Sequence, residues 1–186
     1  MDTLTSPSRR DGGFTLVEAL IAMGILSVGL LGLAQAFYVG MQHMSTSASN
    51  LIAREKAREA VESVLTARDT RTITWGEVRN VAGGGVFLDG PQSLNNAGVD
   101  GLVNTADDAD AGVETQRDPG PNGVFCDTES GCPDDDISTP LNGFQREIQI
   151  NDLANADIRE LVVTISFTVG SQRRSYMLRT FVSAFS

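Results

Sequence analysis

Glu18 stands where the rest of its segment excludes charge. It closes the string Gly13-Phe14-Thr15-Leu16-Val17-Glu18, at the head of an apolar run that reaches Ala34. Between Phe14 and Ala34 only Thr15, Glu18 and Ser27 are polar, and no proline interrupts the run. These 21 residues make roughly 32 Å of helix at 1.5 Å per residue, enough to cross a bilayer core. A carboxylate inside such a segment costs a few kcal/mol even on lenient insertion scales, so its presence points to function. Arg9 and Arg10 precede the run, and neither Lys nor Arg occurs from Asp11 to Ala53. That asymmetry predicts a single pass with the N-terminus cytoplasmic and the C-terminal part outside.

Several readings of this block compete. A cleaved secretory signal would use Ala34-Gln35-Ala36 as its cleavage site, but Glu18 interrupts the apolar core that such a signal needs. Ser8-Arg9-Arg10 is a weak match to a twin-arginine signal. A plain signal anchor accounts for the span and not for the acid. On the residues alone, anchor and cleaved signal both stand.

The string Gly13-Phe14-Thr15-Leu16-Val17-Glu18, continued by Ala19-Leu20-Ile21-Ala22-Met23, resembles the class III signal of type IV pilins and of the related pseudopilins of type II secretion. The resemblance implies a leader of residues 1–13, removed by a prepilin peptidase after Gly13. It implies methylation of the new amino terminus at Phe14 and an assembly role for Glu18, the fifth residue of the mature chain. Its implied partners are other major and minor pilins, an inner-membrane assembly platform and membrane lipid. Its implied location is the inner membrane, with a periplasmic C-terminal domain, and the cell surface pilus after assembly. Many major pilins carry a helix-kinking proline in this region, and here none occurs between Phe14 and position 40. With Gly29-Leu30-Leu31-Gly32-Leu33-Ala34, that absence looks more like a PilV-type minor pilin or an I-type minor pseudopilin. The function implied is a minor structural subunit of a type IV pilus. The alternatives are a minor pseudopilin of a type II secretion system and, from another class, a membrane-anchored adhesive or calcium-binding module.

Beyond the apolar run the pattern becomes one-sided. Met41, Met44, Ala48, Leu51, Ala57, Val61, Val64 and Leu65 recur at three- and four-residue steps, opposite Arg54, Glu55, Arg58, Glu59 and Glu62. One helix is therefore expected from Phe14 to about Arg68, its membrane half at 14–37 and its amphipathic half at 38–68. That is much longer than helices of globular domains and suggests a fibrous or membrane role. Residues 69–186 are expected to form a globular β-rich domain. In it Leu161, Val163, Ile165, Phe167 and Val169 alternate with more polar residues, and Gly170-Ser171 suits a type II′ turn. Pairing Val169 with Gln172 sets Ile165 against Tyr176 and Val163 against Leu178, with both apolar rows on one face. A third strand at Phe144–Ile150 would turn Phe144, Ile148 and Ile150 inward. The amphipathic half of the helix is the one long element available to cover that face. The expected class is α+β: a long N-terminal membrane-spanning helix packed on a small antiparallel β-sheet, as in pilins.

The charge of −10 is concentrated. From Gly85 to Pro140 there are twelve acids against Arg117 alone, and five of the six prolines lie between 83 and 143. That segment reads as an irregular acidic loop region. The acidity argues against nucleic acid as a direct partner. Asp100, Asn104, Asp107, Asp108 and Asp110 offer oxygens that could hold calcium, but no EF-hand frame closes on a Glu. A solvated acidic loop is the plainer reading. Cys126 and Cys132 lie in the same Gly/Pro/Asp-rich segment. A short local disulfide in an oxidising compartment is the simplest account of them, with free thiols the alternative. No second cysteine pair or histidine cluster completes a zinc site. His43 is the one histidine and Lys56 the one lysine, and nothing pairs a nucleophile with an oriented base. No catalytic residue and no cofactor other than calcium is expected.

Overall fold

The computed structural model describes residues 15–125 and 135–185. Helix α1 spans Leu16–Asp69. It is followed by β1 (Gln92–Ser93), β2 (Thr115–Asp118), β3 (Ile137–Pro140), β4 (Phe144–Asp152), β5 (Ile158–Val169) and β6 (Gln172–Ser183), with 3-10 turns at Val81–Gly83 and Ala106–Asp110. The chain divides into two compact units, Met1–Met44 and Ser45–Ser186.

In the first unit the described chain is helix from Leu16 onward, long and apolar enough to cross a membrane. Leu20, Ile25, Leu30 and Leu33 are all exposed. A helix apolar on every side has no face to present to water.

The second unit is an α+β domain. Its antiparallel sheet has the order β1-β4-β5-β6, and β2-β3 form a separate ribbon. The hairpin takes the register expected from the sequence: Val169↔Gln172, Ile165↔Tyr176 and Val163↔Leu178. Gly170 has a φ of 61°, and the described non-glycine residues with positive φ are Arg71 and Asn104, so Ser171 takes the negative φ that a type II′ turn requires. On β4, Ile148 is buried and Phe144 and Ile150 are half-buried, and Phe144 stacks on Phe167 at 5.4 Å.

The helical segment of this unit joins the same core through Ala53, Ala57, Ala60, Val61, Val64 and Ala67. Each of the larger side chains buried here contributes about 1.5–3 kcal/mol, and the alanines let the helix backbone come close to what it covers. The stripe differs from its periodic outline at one end. Met41, Met44, Ala48 and Leu51 are exposed, Ile52 is half-buried, and full burial begins at Ala53. Leu51 is six residues from Ala57, which puts it on another side of the helix. The helix ends where Arg71 takes a φ of 58°, letting the amides of Thr72 and Ile73 reach the Ala67 carbonyl.

The acidic segment at 83–143 carries more of the core than its composition suggests. Phe87, Leu94, Leu102, Val103 and Leu141 are buried in the same cluster. Its backbone is fastened by backbone bonds, such as those from the Leu88 amide to the Asn104 carbonyl and from the Glu114 amide to the Leu94 carbonyl. Side chains fasten it too, among them Asn80 just before it, which donates to the Leu88 carbonyl at 3.3 Å. Asn80 accepts from the Ile150 amide at 2.8 Å and donates to the Ile148 carbonyl at 2.7 Å, pairing with β4 as a strand would.

Candidate functional site

Two constellations carry the charges of interest, one in each unit. In the first, Thr15 immediately precedes α1. Its hydroxyl accepts from the Glu18 amide at 3.3 Å, and its carbonyl accepts from Ala19 at 3.2 Å. Thr15 and Glu18 have the spacing of a capping box, but among the described residues the reciprocal bond from the Thr15 amide to the Glu18 carboxylate is not formed, nor does Glu18 join an ion pair. An acid in the first turn gains about 0.3–1 kcal/mol from the helix dipole, less than the few kcal/mol that a charge costs inside a membrane span. Capping therefore does not account for the carboxylate. At 100° per residue Glu18 shares a face with Ala22, Ile25, Gly29, Gly32, Ala36 and Gly40. A Cβ added at Gly24, Gly29, Gly32 or Gly40 would meet nothing within 4 Å. Ser27 is satisfied within the helix, donating to the Met23 carbonyl at 2.7 Å. Glu18 is thus the one charge between Thr15 and Ala53, on a face of small residues. Gly13 and Phe14, the expected processing residues, lie outside the described residues.

The second constellation was not foreseen. Arg146 sits on the inward row of β4 between Phe144 and Ile148 and is fully buried. Its guanidinium meets Glu114 at 3.1 Å, lies 3.7 Å from Asp108, and donates to the Asn95 carbonyl at 3.1 Å. From α1, Lys56 reaches the other oxygen of Glu114 at 2.6 Å and Glu59 at 2.8 Å. Burial is the largest influence on the Lys56 ammonium and pushes it down, but its contacts with Glu114 and Glu59 together outweigh it and leave the pKa raised. Asp108 is raised, first by burial, with backbone N–H donors from Asn104, Gly98 and Thr105 and the Arg146 charge offsetting part of that. Helix, sheet and acidic segment are joined through one buried charge network. A buried pair of this kind adds little net stability, yet losing one partner strands the other. The sequence signal was present: Arg146 occupies the inward phase of the Phe144–Ile150 alternation.

The network also shows what the acidic segment does with its carboxylates. Asp108 accepts from the amides of Gly98, Asn104 and Thr105. Asp107 accepts from the Asp100 amide at 3.1 Å and the Thr105 hydroxyl at 2.7 Å, and is lowered by the Thr105 hydroxyl first and the Asp100 amide second. Asp100 accepts from the Leu102 amide at 2.8 Å, and the Asn104 amide group donates to the Leu88 carbonyl at 3.0 Å. Of the five calcium candidates these four are used to shape the loop, and Asp110 lies at the end of the Ala106–Asp110 turn. Among the described residues no group of three or more His, Cys, Asp or Glu side chains converges as a metal site. Cys126 and Cys132 lie outside the described residues.

A third contact set fastens the turn after α1. Arg159, buried in β5, stacks on Trp75 at 4.1 Å, donates to the carbonyls of Trp75 and Val78, and pairs with Asp152 at 2.7 Å. Hydrogen bonds from Arg159 first and Arg79 second hold the Asp152 carboxyl below its ordinary range.

Neither a curated protein nor a solved structure matched the chain. Residues 8–34 match the family model described as the prokaryotic N-terminal methylation motif, which supports a type IV pilin-like family and indicates a precursor of the pilin or pseudopilin kind, processed by prepilin peptidase.

Proposed function

We propose that this chain is a minor structural subunit of a type IV pilus, held in the inner membrane with its C-terminal domain in the periplasm until it is assembled. The observation that carries this reading is the single carboxylate of Glu18 in the exposed apolar part of α1, uncharged from there to Ala53, within the residues 8–34 that match the N-terminal methylation motif. Cleavage after Gly13 would create an amino terminus at Phe14. That cation and the Glu18 carboxylate of a neighbouring subunit would each be intolerable alone in an apolar bundle, and each neutralises the other. Gly29, Gly32 and Gly40 on the Glu18 face would let neighbouring helices approach closely. The role is structural, with no chemistry performed by the chain itself. Prepilin peptidase and other pilins are its partners, together with the inner-membrane assembly platform and surrounding lipid.

A minor pseudopilin of a type II secretion system has the same anatomy. The Gly29–Ala34 string and the unbroken helix favour a minor subunit in either machine. Deletion of the gene separates the two readings: loss of pili with normal secretion supports the first, and loss of secretion with normal pili the second.

Glu18→Ala tests the mechanism. The variant is expected to insert in the membrane at least as well as the parent, because it removes a charge, and to be lost from purified filaments by tenfold or more, an amount equivalent to about 1.4 kcal/mol. Incorporation at the parental level would refute the intersubunit pairing.

A further inference from the structure

The sheet ends on one side in β6, which pairs with β5 and has no second neighbour among the described residues. This edge is long and regular. Its register runs from Val169↔Gln172 to Ile158↔Ser183 without a bulge, and the strand contains no proline. The pair flanking a two-residue turn exchanges both backbone bonds. Bonding to β5 therefore falls on the even-numbered residues of β6, and the N–H and C=O groups of Arg173, Ser175, Met177, Arg179 and Phe181 face the open edge.

The same five residues place their side chains on the outer face, opposite the core row of Tyr176, Leu178 and Val182. Met177 is 59% exposed and Phe181 61%. Residues 161–186 contain three arginines and no acid, in a chain whose net charge is −10. Arg179 pairs with Glu160 at 3.1 Å, yet its side chain stays 61% exposed. Arg173 donates to the Gln145 side chain at 2.7 Å beside a recess of about 240 Å³ that Asn142, Ser166 and Thr168 also line.

Natural edges are blunted by charge, bulges, proline or a short strand. Arginines alone would blunt this one, but they alternate with two large exposed apolar side chains that a blocked edge has no use for. We propose that β6 is a docking edge for an extended strand of another protein, one in which acidic and apolar side chains alternate. Acids would stand opposite Arg173 and Arg179, and apolar side chains opposite Met177 and Phe181. Backbone hydrogen bonds would supply affinity, and the two charges and two apolar contacts would set the register. This surface does not depend on processing after Gly13, so it stands or falls separately from the filament reading.

The test uses the full chain in detergent micelles and a fluorescent synthetic peptide. The peptide alternates threonine with, in order, aspartate, threonine, valine, aspartate and valine, and its reverse covers the other strand direction. Binding of one of the two is expected. Replacing the aspartates by lysine should weaken it by about tenfold, and the double variant Arg173→Glu, Arg179→Glu should reverse that preference. A peptide with N-methyl groups on its bonding edge should also bind about tenfold or more weakly, while the protein is untouched. Failure of both acidic peptides to bind would overturn the proposal, as would equal binding of the lysine peptide. Charge-dependent binding that ignores N-methylation would mean simple anion attraction, as by a lipid headgroup, and would overturn strand addition too.

Discussion

Leu26 and Val64 lie on the same α-helix, yet Leu26 is 65% exposed and Val64 is 0% exposed. Around Leu26 the helix is apolar on all sides, and from Ala19 to Ala53 it carries no Asp, Glu, Lys or Arg. Around Val64 the apolar residues narrow to one face, mostly alanine and valine, and charges fill the other. The second pattern is solved within the chain, because the sheet and the acidic segment supply the cover. The first is an unsolved surface that has to be satisfied from outside, by lipid or by other helices. Glu18 belongs to the unsolved part, which is why its partner is sought on another subunit, while Lys56 has its partners within the domain.

Charge placed in each half separates the two regimes most sharply. Ala57→Arg puts an unpaired cation in the core and should destabilise the domain by about 3–5 kcal/mol, read as a lowered melting temperature, with membrane insertion unchanged. Leu26→Arg should leave the domain's melting untouched and disfavour insertion by about 2.5–3.5 kcal/mol. If either substitution produced the effect assigned to the other, the division of the helix would be wrong.

Within the solved half, Glu114→Ala should cost about 3 kcal/mol, at the low end for a broken buried pair, because Asp108 and the Asn95 carbonyl still face Arg146. Denaturant unfolding of the full chain measures it. A loss under about 1 kcal/mol, the usual worth of a surface pair, would mean that the network is not a joint between helix, sheet and acidic segment.

The smallest effect is a pH dependence. Lys56 has a folded pKa raised above its ordinary 10.5, so its contribution is fully present below pH 10.5 and is lost as pH rises through the folded value. Since Lys56 is the chain's only lysine, Lys56→Met should remove a component of alkaline destabilisation. An unchanged alkaline limb would contradict the assigned contacts.

How far these features could be read from residues depends on how locally each is specified. The hairpin was legible down to its register because a Gly-Ser turn and a period-two row both specify it, and a one-residue slip would have turned every apolar side chain outward. The helix was legible in extent but not in where burial starts, since Leu51 and Ala53 are equally apolar to a pattern and only the packed partner distinguishes them. Leu94, Leu102 and Val103 escaped notice because isolated apolar residues among Gly, Pro and Asp have no period. Arg146 and Glu114 escaped because a charge is read as solvated until a partner 32 residues away is brought to it. At the N-terminus the motif was fully legible, for its meaning lies in local sequence.

The role proposed for Glu18 requires an amino terminus created at Phe14. Mass spectrometry of the purified mature protein should find a chain that begins at a methylated Phe14; a chain beginning at Phe37, or one retaining residues 1–13, would rule that role out.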